Sequence, residues 1–191
     1  MFPAFQKLRL IPVLTAALAV ANAATLQQLS MDQMSQSATA IVRARVTGSS
    51  AQLHASPGAP TIYTHYKLAA IEVWKGAVEA EVMLPGGDLN GQKQSFPGVP
   101  ELRVGGEYVL FLWKSPTTGI VHTIGLTQGI FEVATQADGS VVASRGQSGE
   151  LMLNASGHRV SDRAISMKLP DMKARVRQAP GAGSSPARAA K

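Results

Sequence analysis

The side chains best suited to acid–base or metal chemistry in this chain are its four histidines, His54, His65, His122 and His158. A zinc protease needs the string His-Glu-x-x-His, which places two imidazoles and a carboxylate on one helical face. That string is absent, and the four histidines are too scattered to match the usual spacings of metal ligands. We therefore expect no metal and no other cofactor, and interpret them as surface or strand histidines.

The sequence also lacks a recognisable catalytic nucleophile or acid pair. The string Gly146-Gln147-Ser148-Gly149 is one residue short of the Gly-x-Ser-x-Gly elbow of serine hydrolases, so we interpret it as a turn. Glu79 and Glu81 share one face of a short predicted strand, as charged residues on an exposed sheet edge often do. We expect a protein that is not an enzyme. An enzyme whose residues converge from separate strands remains an alternative, because such a site leaves no motif.

One long polar segment carries residues suited to binding a protein partner. Residues 88–102 are predicted to form a loop, and long loops are often functional. Phe96 lies within it, and an exposed aromatic residue on a loop is a typical interface anchor. The alternative is that Phe96 folds back to close one end of a barrel. Asp88 and Asn90 lie beside Gly91, too few oxygens for a calcium loop, and we assign them to the same partner-binding surface.

A second candidate surface lies on a predicted strand. Tyr63, His65 and Lys67 alternate along one face of the run 61–75. A strand face with exposed aromatic residues is how many small β-barrels hold oligosaccharides. These three residues therefore indicate an alternative function, the binding of an oligosaccharide or of the cell envelope.

The elements that position these residues are mainly β-strands. Alternation of apolar and polar residues predicts strands over 40–48, 61–75, 78–84, 107–114, 121–126 and 129–135, with a further strand after the turn Asp138-Gly139. The apolar face of 61–75 changes parity, which predicts a bulge near Ala69 and Ala70. The run 107–114 is apolar on both faces and should be central. Trp74, Phe111 and Trp113 are assigned to the core.

Helices and loops are predicted around this sheet. Thr25 and Gln28 have capping-box spacing, which predicts a short helix that ends near Ser37. Residues 49–60 are rich in Ser, Gly and Pro and should form a loop. Ser161 is the expected cap of a second helix that runs through Leu169 and is interrupted or ended by Pro170.

Several of these segments together resemble a known module. The strand Ala40–Val46, the step Val73-Trp74-Lys75-Gly76 and the run Gly105–Phe111 look like the inhibitory, netrin-like domain of tissue inhibitors of metalloproteinases, and like uncharacterised secreted bacterial proteins with the same skeleton. The resemblance covers about residues 38–114. It implies an OB-like Greek-key barrel, here of five to seven strands with short flanking helices, and an extracellular protein partner. In those inhibitors an N-terminal cysteine binds the protease zinc, whereas this chain contains no cysteine.

Charge gives no support for a nucleic-acid partner. The formal net charge is +6, but between Ala24 and Pro170 the basic and acidic residues are equal in number. Nucleic-acid binding depends on an excess of Lys and Arg on the folded surface. We expect the excess in the residues from 171 onward to make at most a contact with anionic envelope polymers.

The N-terminus predicts export. Lys7 and Arg9 precede an apolar run from Leu10 to Val20, and Ala21-Asn22-Ala23 has the pattern of a signal-peptidase site. The run is too short to span a membrane. We predict a signal peptide over 1–23, an OB-like domain over 24–170 and a basic, largely disordered tail over 171–191, in a secreted or periplasmic protein.

These observations favour an exported, non-enzymatic binding module. Its expected partner is an extracellular or periplasmic protein, such as a secreted metalloprotease, held through Phe96, Asp88 and Asn90. The alternative is an oligosaccharide or envelope ligand, held through Tyr63, His65 and Lys67.

Overall fold

A computed structural model describes residues 25–55, 59–96, 98–148 and 150–180. These residues form thirteen strands and two α-helices. The strands are β1 (Thr25–Gln27), β2 (Ala40–His54), β3 (Thr61–Lys75), β4 (Glu81–Pro85), β5 (Gly87–Leu89), β6 (Gln92–Gln94), β7 (Glu107–Lys114), β8 (Val121–Thr123), β9 (Ile130–Thr135), β10 (Val141–Arg145), β11 (Leu151–Leu153), β12 (Arg159–Val160) and β13 (Ile165–Lys168). The helices are α1 (Met31–Ser37) and α2 (Leu169–Gln178), and a 3-10 turn spans Leu126–Gly129. The predicted signal peptide and residues 181–191 lie outside the described residues.

The predicted mainly-β architecture is confirmed. The largest sheet has the order β13-β10-β9-β7-β2-β3-β4, with β8 paired to β7, and its pairings are antiparallel. Strands β1, β11 and β12 form a second sheet, and β5 and β6 form a hairpin. The hydrogen-bonded order of the described strands ends at β4 and β13 without closing into a barrel.

Strands β2 and β3 form the longest pairing of the fold. The bounds of β3 are those predicted, but β2 continues to His54, so the prediction of a loop from residue 49 is wrong. The segment from Gly48 to His54 lacks apolar alternation. It is extended because each residue pairs with β3, up to His54 opposite Thr61. A non-local partner therefore overrides the local sequence signal.

A bulge in β3 lets one strand serve two hydrophobic cores. Tyr66 and Leu68 point into the first core. The pairing with β2 skips Ile71, and it skips Trp74 three residues later. Beyond Ile71, Val73 packs against the first core and Trp74 enters the second. The predicted bulge is thus present, slightly later than expected. Ile71, which the pattern assigned to an apolar face, is exposed.

Strand β7 separates the two cores, as its two apolar faces predict. Leu110 and Leu112 lie in the first core, and Val109 and Phe111 in the second, beneath the helices. Trp113 is 42% exposed, so its assignment to the core is wrong. Its register partner is His122 on the three-residue strand β8, at a margin of the sheet.

The N-terminal helix begins later than predicted. Residues 25–27 form β1, which pairs in parallel with β11. Helix α1 is capped by Ser30, whose hydroxyl accepts from the Gln33 N–H while the Gln33 side chain accepts from the Ser30 N–H. The capping-box spacing occurs at Thr25 and again at Ser30, and the second occurrence is used. The helix ends at Ser37, as predicted.

The C-terminal helix is also displaced from its prediction. Residues 165–168 form β13, and Pro170 lies in the first turn of α2, where its missing N–H costs nothing. Met172 and Val176 are fully buried, so the predicted disordered tail is wrong for 171–178. Within the described part of the chain, no helix has the length and apolar character that crossing a membrane requires.

Candidate binding sites

The predicted loop 88–102 is in part a hairpin, β5–β6, that forms one wall of a groove. The opposite wall is the segment 98–102, which we call the strap, and the ends of β2 and β3 form the floor. This hairpin groove has a volume of about 370 Å³. The strap also lines a second groove, of about 430 Å³, on its other side, against β9 and β10. One short segment therefore bounds both cavities.

Phe96 lies on the hairpin groove and is 40% exposed. A side chain on Gly86 would lie 3.6 Å from its ring, so the ring covers the glycine backbone. Leu102 is buried in the first core and Val99 packs against it. The strap, rather than Phe96, thus covers this end of the core, and Phe96 presents an aromatic surface to the groove.

Asp88 and Asn90 shape the hairpin turn. The Asp88 carboxylate accepts a hydrogen bond from the Gly91 N–H at 3.0 Å, and Asn90 has a φ of 53°, a conformation that asparagine tolerates better than most residues. Asp88 also lines the hairpin groove, whereas Asn90 is exposed at the turn and does not line it. The structure therefore brings Asp88 together with Phe96 and leaves Asn90 apart.

The floor of the hairpin groove is held by hydrogen bonds between distant segments. Thr64 donates its hydroxyl to the Gly86 carbonyl at 2.7 Å, and Gln94 accepts from the Ile62 N–H at 2.7 Å. Burial raises the pKa of the Tyr66 phenol, which lies on the same floor. These bonds fix the groove before any partner arrives.

The outer face of β3 carries a different arrangement, centred on His65. Its Nδ1 lies 2.6 Å from Oε1 of Glu81 on β4, and its Nε2 lies 2.9 Å from Nε2 of His54 on β2. The rings of Tyr63 and His54 form a T-shaped contact, with ring centres 5.3 Å apart. Lys67 is exposed. Of the three residues predicted for this face, Tyr63 and His65 join one cluster and Lys67 does not.

This cluster borders a groove of about 390 Å³, which we call the histidine groove. His54, His65 and Glu81 lie on one side. Lys114 lines the same groove and forms an ion pair of 3.2 Å with Glu79, which is 9% exposed. The remaining lining residues include the apolar side chains of Met83, Ile120 and Val121.

The two imidazoles are arranged for a shared hydrogen rather than for a metal. Their ring centres are 5.2 Å apart while the Nε2 atoms of His54 and His65 are only 2.9 Å apart, so the nitrogens point almost directly at each other. A metal ion bound to both Nε2 atoms at about 2.0–2.1 Å would lie to one side of the line that joins them, and both nitrogen lone pairs would have to point at it. Across the ranges that the structure describes, no three His, Cys, Asp or Glu side chains group closely enough to hold an ion.

A buried polar cluster lies beyond the strap, and sequence reasoning missed it. Arg145 and Asp162 form a bidentate ion pair of 2.8 and 2.9 Å, and Asp162 also accepts from the Ser148 N–H at 2.7 Å. Burial raises the pKa of Glu150, which accepts from Thr127 at 3.0 Å. Residues 146–148 of the elbow-like string follow β10 as a loop, and nothing in the described residues links the Ser148 hydroxyl to a histidine.

The other two histidines lie elsewhere. Burial lowers the pKa of His122, which lies on β8. The His158 N–H donates to Asn154 Oδ1 at 2.9 Å in the turn before β12. The histidine that contacts His65 is His54, which the sequence analysis placed in a loop. If β2 is extended to match the length of β3, both histidines fall on one predicted hairpin. The matching lengths of the two strands are the signal that could have found the pair.

Comparison with protein-family models and with curated proteins finds no match to this chain.

Proposed function

We propose that the protein is an exported, non-enzymatic module that binds a protein partner, such as a secreted protease, in the hairpin groove. The observation that carries the proposal is Phe96, which is 40% exposed on a groove fixed by hydrogen bonds. Aromatic residues at the centre of an interface commonly supply most of its binding energy. A fixed groove also lowers the ordering cost of association.

The fold proposed for this module is an OB-like Greek-key barrel. Strands β4, β3, β2, β7 and β8 follow one another in the main sheet. Strand β8 lies against β4. This contact supports a barrel that closes by side-chain packing between β4 and β8.

The charge of the groove favours a basic partner segment. Asp88 and Glu101 line it, and its described lining includes neither Lys nor Arg. Complementary charge speeds association and selects against acidic partners. The expected segment therefore combines an apolar side chain, which packs on Phe96, with at least one Lys or Arg.

The test measures how substitutions of two exposed apolar residues of this protein change its affinity for a purified partner. The partner is first identified by affinity capture from the organism's own supernatant or envelope, and its binding is then measured by calorimetry. We expect Phe96→Ala to weaken binding at least tenfold, because truncating an anchor residue costs about 2 kcal/mol or more. Val104, which is 59% exposed and does not line the groove, supplies the control Val104→Ala.

The electrostatic part is tested separately. Asp88→Asn should lower the association rate and weaken the dependence of that rate on salt. The dissociation rate should change less. Deleting the segment 88–102 is not a suitable test, because Leu102 belongs to the first core. Equal affinities for the protein, Phe96→Ala and Val104→Ala would refute the proposal.

A further inference from the structure

We propose that the histidine groove is a second binding site, for an uncharged, hydroxyl-rich ligand such as a neutral oligosaccharide. This site is independent of the hairpin groove, since the two share no lining residue. It rests on the chain His54–His65–Glu81, on the ion pair facing the same groove and on the apolar side chains between them.

The hydrogen-bond directions in the chain follow from Glu81. A carboxylate can only accept hydrogen bonds, so His65 donates its Nδ1–H to Glu81. With both rings neutral, Nε2 of His65 is an acceptor and His54 donates its Nε2–H to it. The Nδ1 atom of His54 is left as a hydrogen-bond acceptor. In this arrangement the cluster offers a ligand one hydrogen-bond acceptor, Nδ1 of His54.

Lys114 supplies the matching donors. Its ammonium has three hydrogens, and the ion pair with Glu79 leaves others free to bind a ligand. A hydroxyl group both donates and accepts, so neighbouring hydroxyls on one ligand can satisfy His54 and Lys114 together. A ligand that only accepts, such as a carboxylate, leaves His54 Nδ1 unsatisfied.

The charges in the groove favour an uncharged ligand. Glu79 and Glu81 both line it and Lys114 is its only cationic Lys or Arg among the described lining residues, so an anion meets two carboxylates. The Lys114 charge is already paired with Glu79. The apolar side chains of Ile120 and Val121 suit the C–H face of a sugar ring. The volume of about 390 Å³ lies in the range of small-ligand sites.

The test uses isotope-labelled protein titrated with maltotriose, cellotriose, triacetylchitotriose and the charged trisaccharide trigalacturonate. We expect at least one uncharged sugar to shift the ring resonances of His54 and His65. His54→Phe keeps the ring contact with Tyr63 but removes the acceptor, and should weaken that binding at least tenfold. Ile120→Arg, which places a long side chain in the groove, should do the same. His158→Phe is the matched control and should leave the affinity unchanged.

Three outcomes would overturn the proposal: no shift with any uncharged sugar, binding of trigalacturonate alone, or full binding by His54→Phe. Phe96→Ala should bind the sugar like the unaltered protein. A failure of the partner-binding proposal is thereby distinguished from a failure of this one.

Discussion

The two terminal nitrogens of the Arg145 guanidinium donate N–H hydrogen bonds to the two carboxylate oxygens of Asp162, and the two side chains are only 7% and 1% exposed. The pair ties the end of β10 to the segment that leads into β13, and the Ser148 N–H completes the coordination of the carboxylate. Its formation removes two charges from water, so each partner depends on the other.

Asp162→Asn should therefore destabilise the fold strongly. Removing one member leaves the Arg145 charge buried without its counter-ion, which typically costs about 3–5 kcal/mol. Urea unfolding followed by circular dichroism gives the free energy of unfolding. The double variant Arg145→Met/Asp162→Leu should recover most of the loss, because it leaves no unpaired charge. A loss below about 1 kcal/mol for Asp162→Asn would show that water reaches the pair.

The same pair should make the protein sensitive to acid. Although burial alone raises the pKa of Asp162, the hydrogen bonds from Arg145 and Ser148 and the Arg145 charge hold it at about 2. Since this pKa lies below the unfolded value, the pair stabilises the fold fully above roughly pH 4 and loses that effect as pH falls through about 2. The contribution is about 2 kcal/mol. Unfolding free energies measured between pH 1.5 and about 5 should show this slope in the protein and lack it in the double variant.

Glu150 should have the opposite dependence. Burial raises the pKa of its carboxyl above the unfolded value, so its contribution is fully present below that value and is lost as pH rises through the folded pKa. Glu150→Gln keeps an acceptor for the Thr127 hydroxyl but cannot ionise. The variant should be more stable than the protein at pH 7 and no more stable at pH 4. Parallel stability curves across that interval would contradict the assignment.

Gly98 should be intolerant of any side chain. Its φ is 78°, and a Cβ there would lie 2.3 Å from Cγ of Glu150. Gly98→Ala combines backbone strain with overpacking and should cost about 2–4 kcal/mol. Gly105 has a similar φ of 85° but nothing within 4 Å, so Gly105→Ala measures the strain alone, about 1 kcal/mol. The difference in stability loss between the two variants, measured by thermal unfolding, gives the cost of the contact between the strap and Glu150. Equal losses would mean that the Glu150 side chain moves aside at little cost.

Ser30→Ala should destabilise the fold by about 1 kcal/mol, through the loss of the cap of α1. Thr25 has the same spacing to Gln28 but belongs to the strand β1 rather than to a helix. Thr25→Ala is therefore the matched control, with an expected change within about 0.5 kcal/mol. The free energy of unfolding in urea decides between the two positions. A larger loss for Thr25→Ala would indicate that the cap contributes little.

The sequence predicts the strands whose side chains alternate clearly. The bounds of β3 and β7 are recovered to the residue, because in both runs the apolar pattern coincides with burial against a core. The end of β2 was missed because its extension depends on a partner strand. Ile165–Lys168 was assigned to a helix because its pairing with β10 is also non-local.

The candidate sites follow the same division. Phe96 and His65 were identified from their own positions in the chain. His54, Glu81 and the cluster of Arg145 with Asp162 were not, because their roles depend on contacts between segments that are distant in sequence. Only the register of β2, β3 and β4 brings the three members of the histidine chain together.

The strap gives the two grooves it separates a thermodynamic connection. Val99 and Leu102 face the hairpin groove on one side and the groove against β9 and β10 on the other. A molecule that moves this wall while occupying one cavity alters the dimensions of the other. Reciprocity then requires that occupancy of either cavity change the affinity of its neighbour by the same factor.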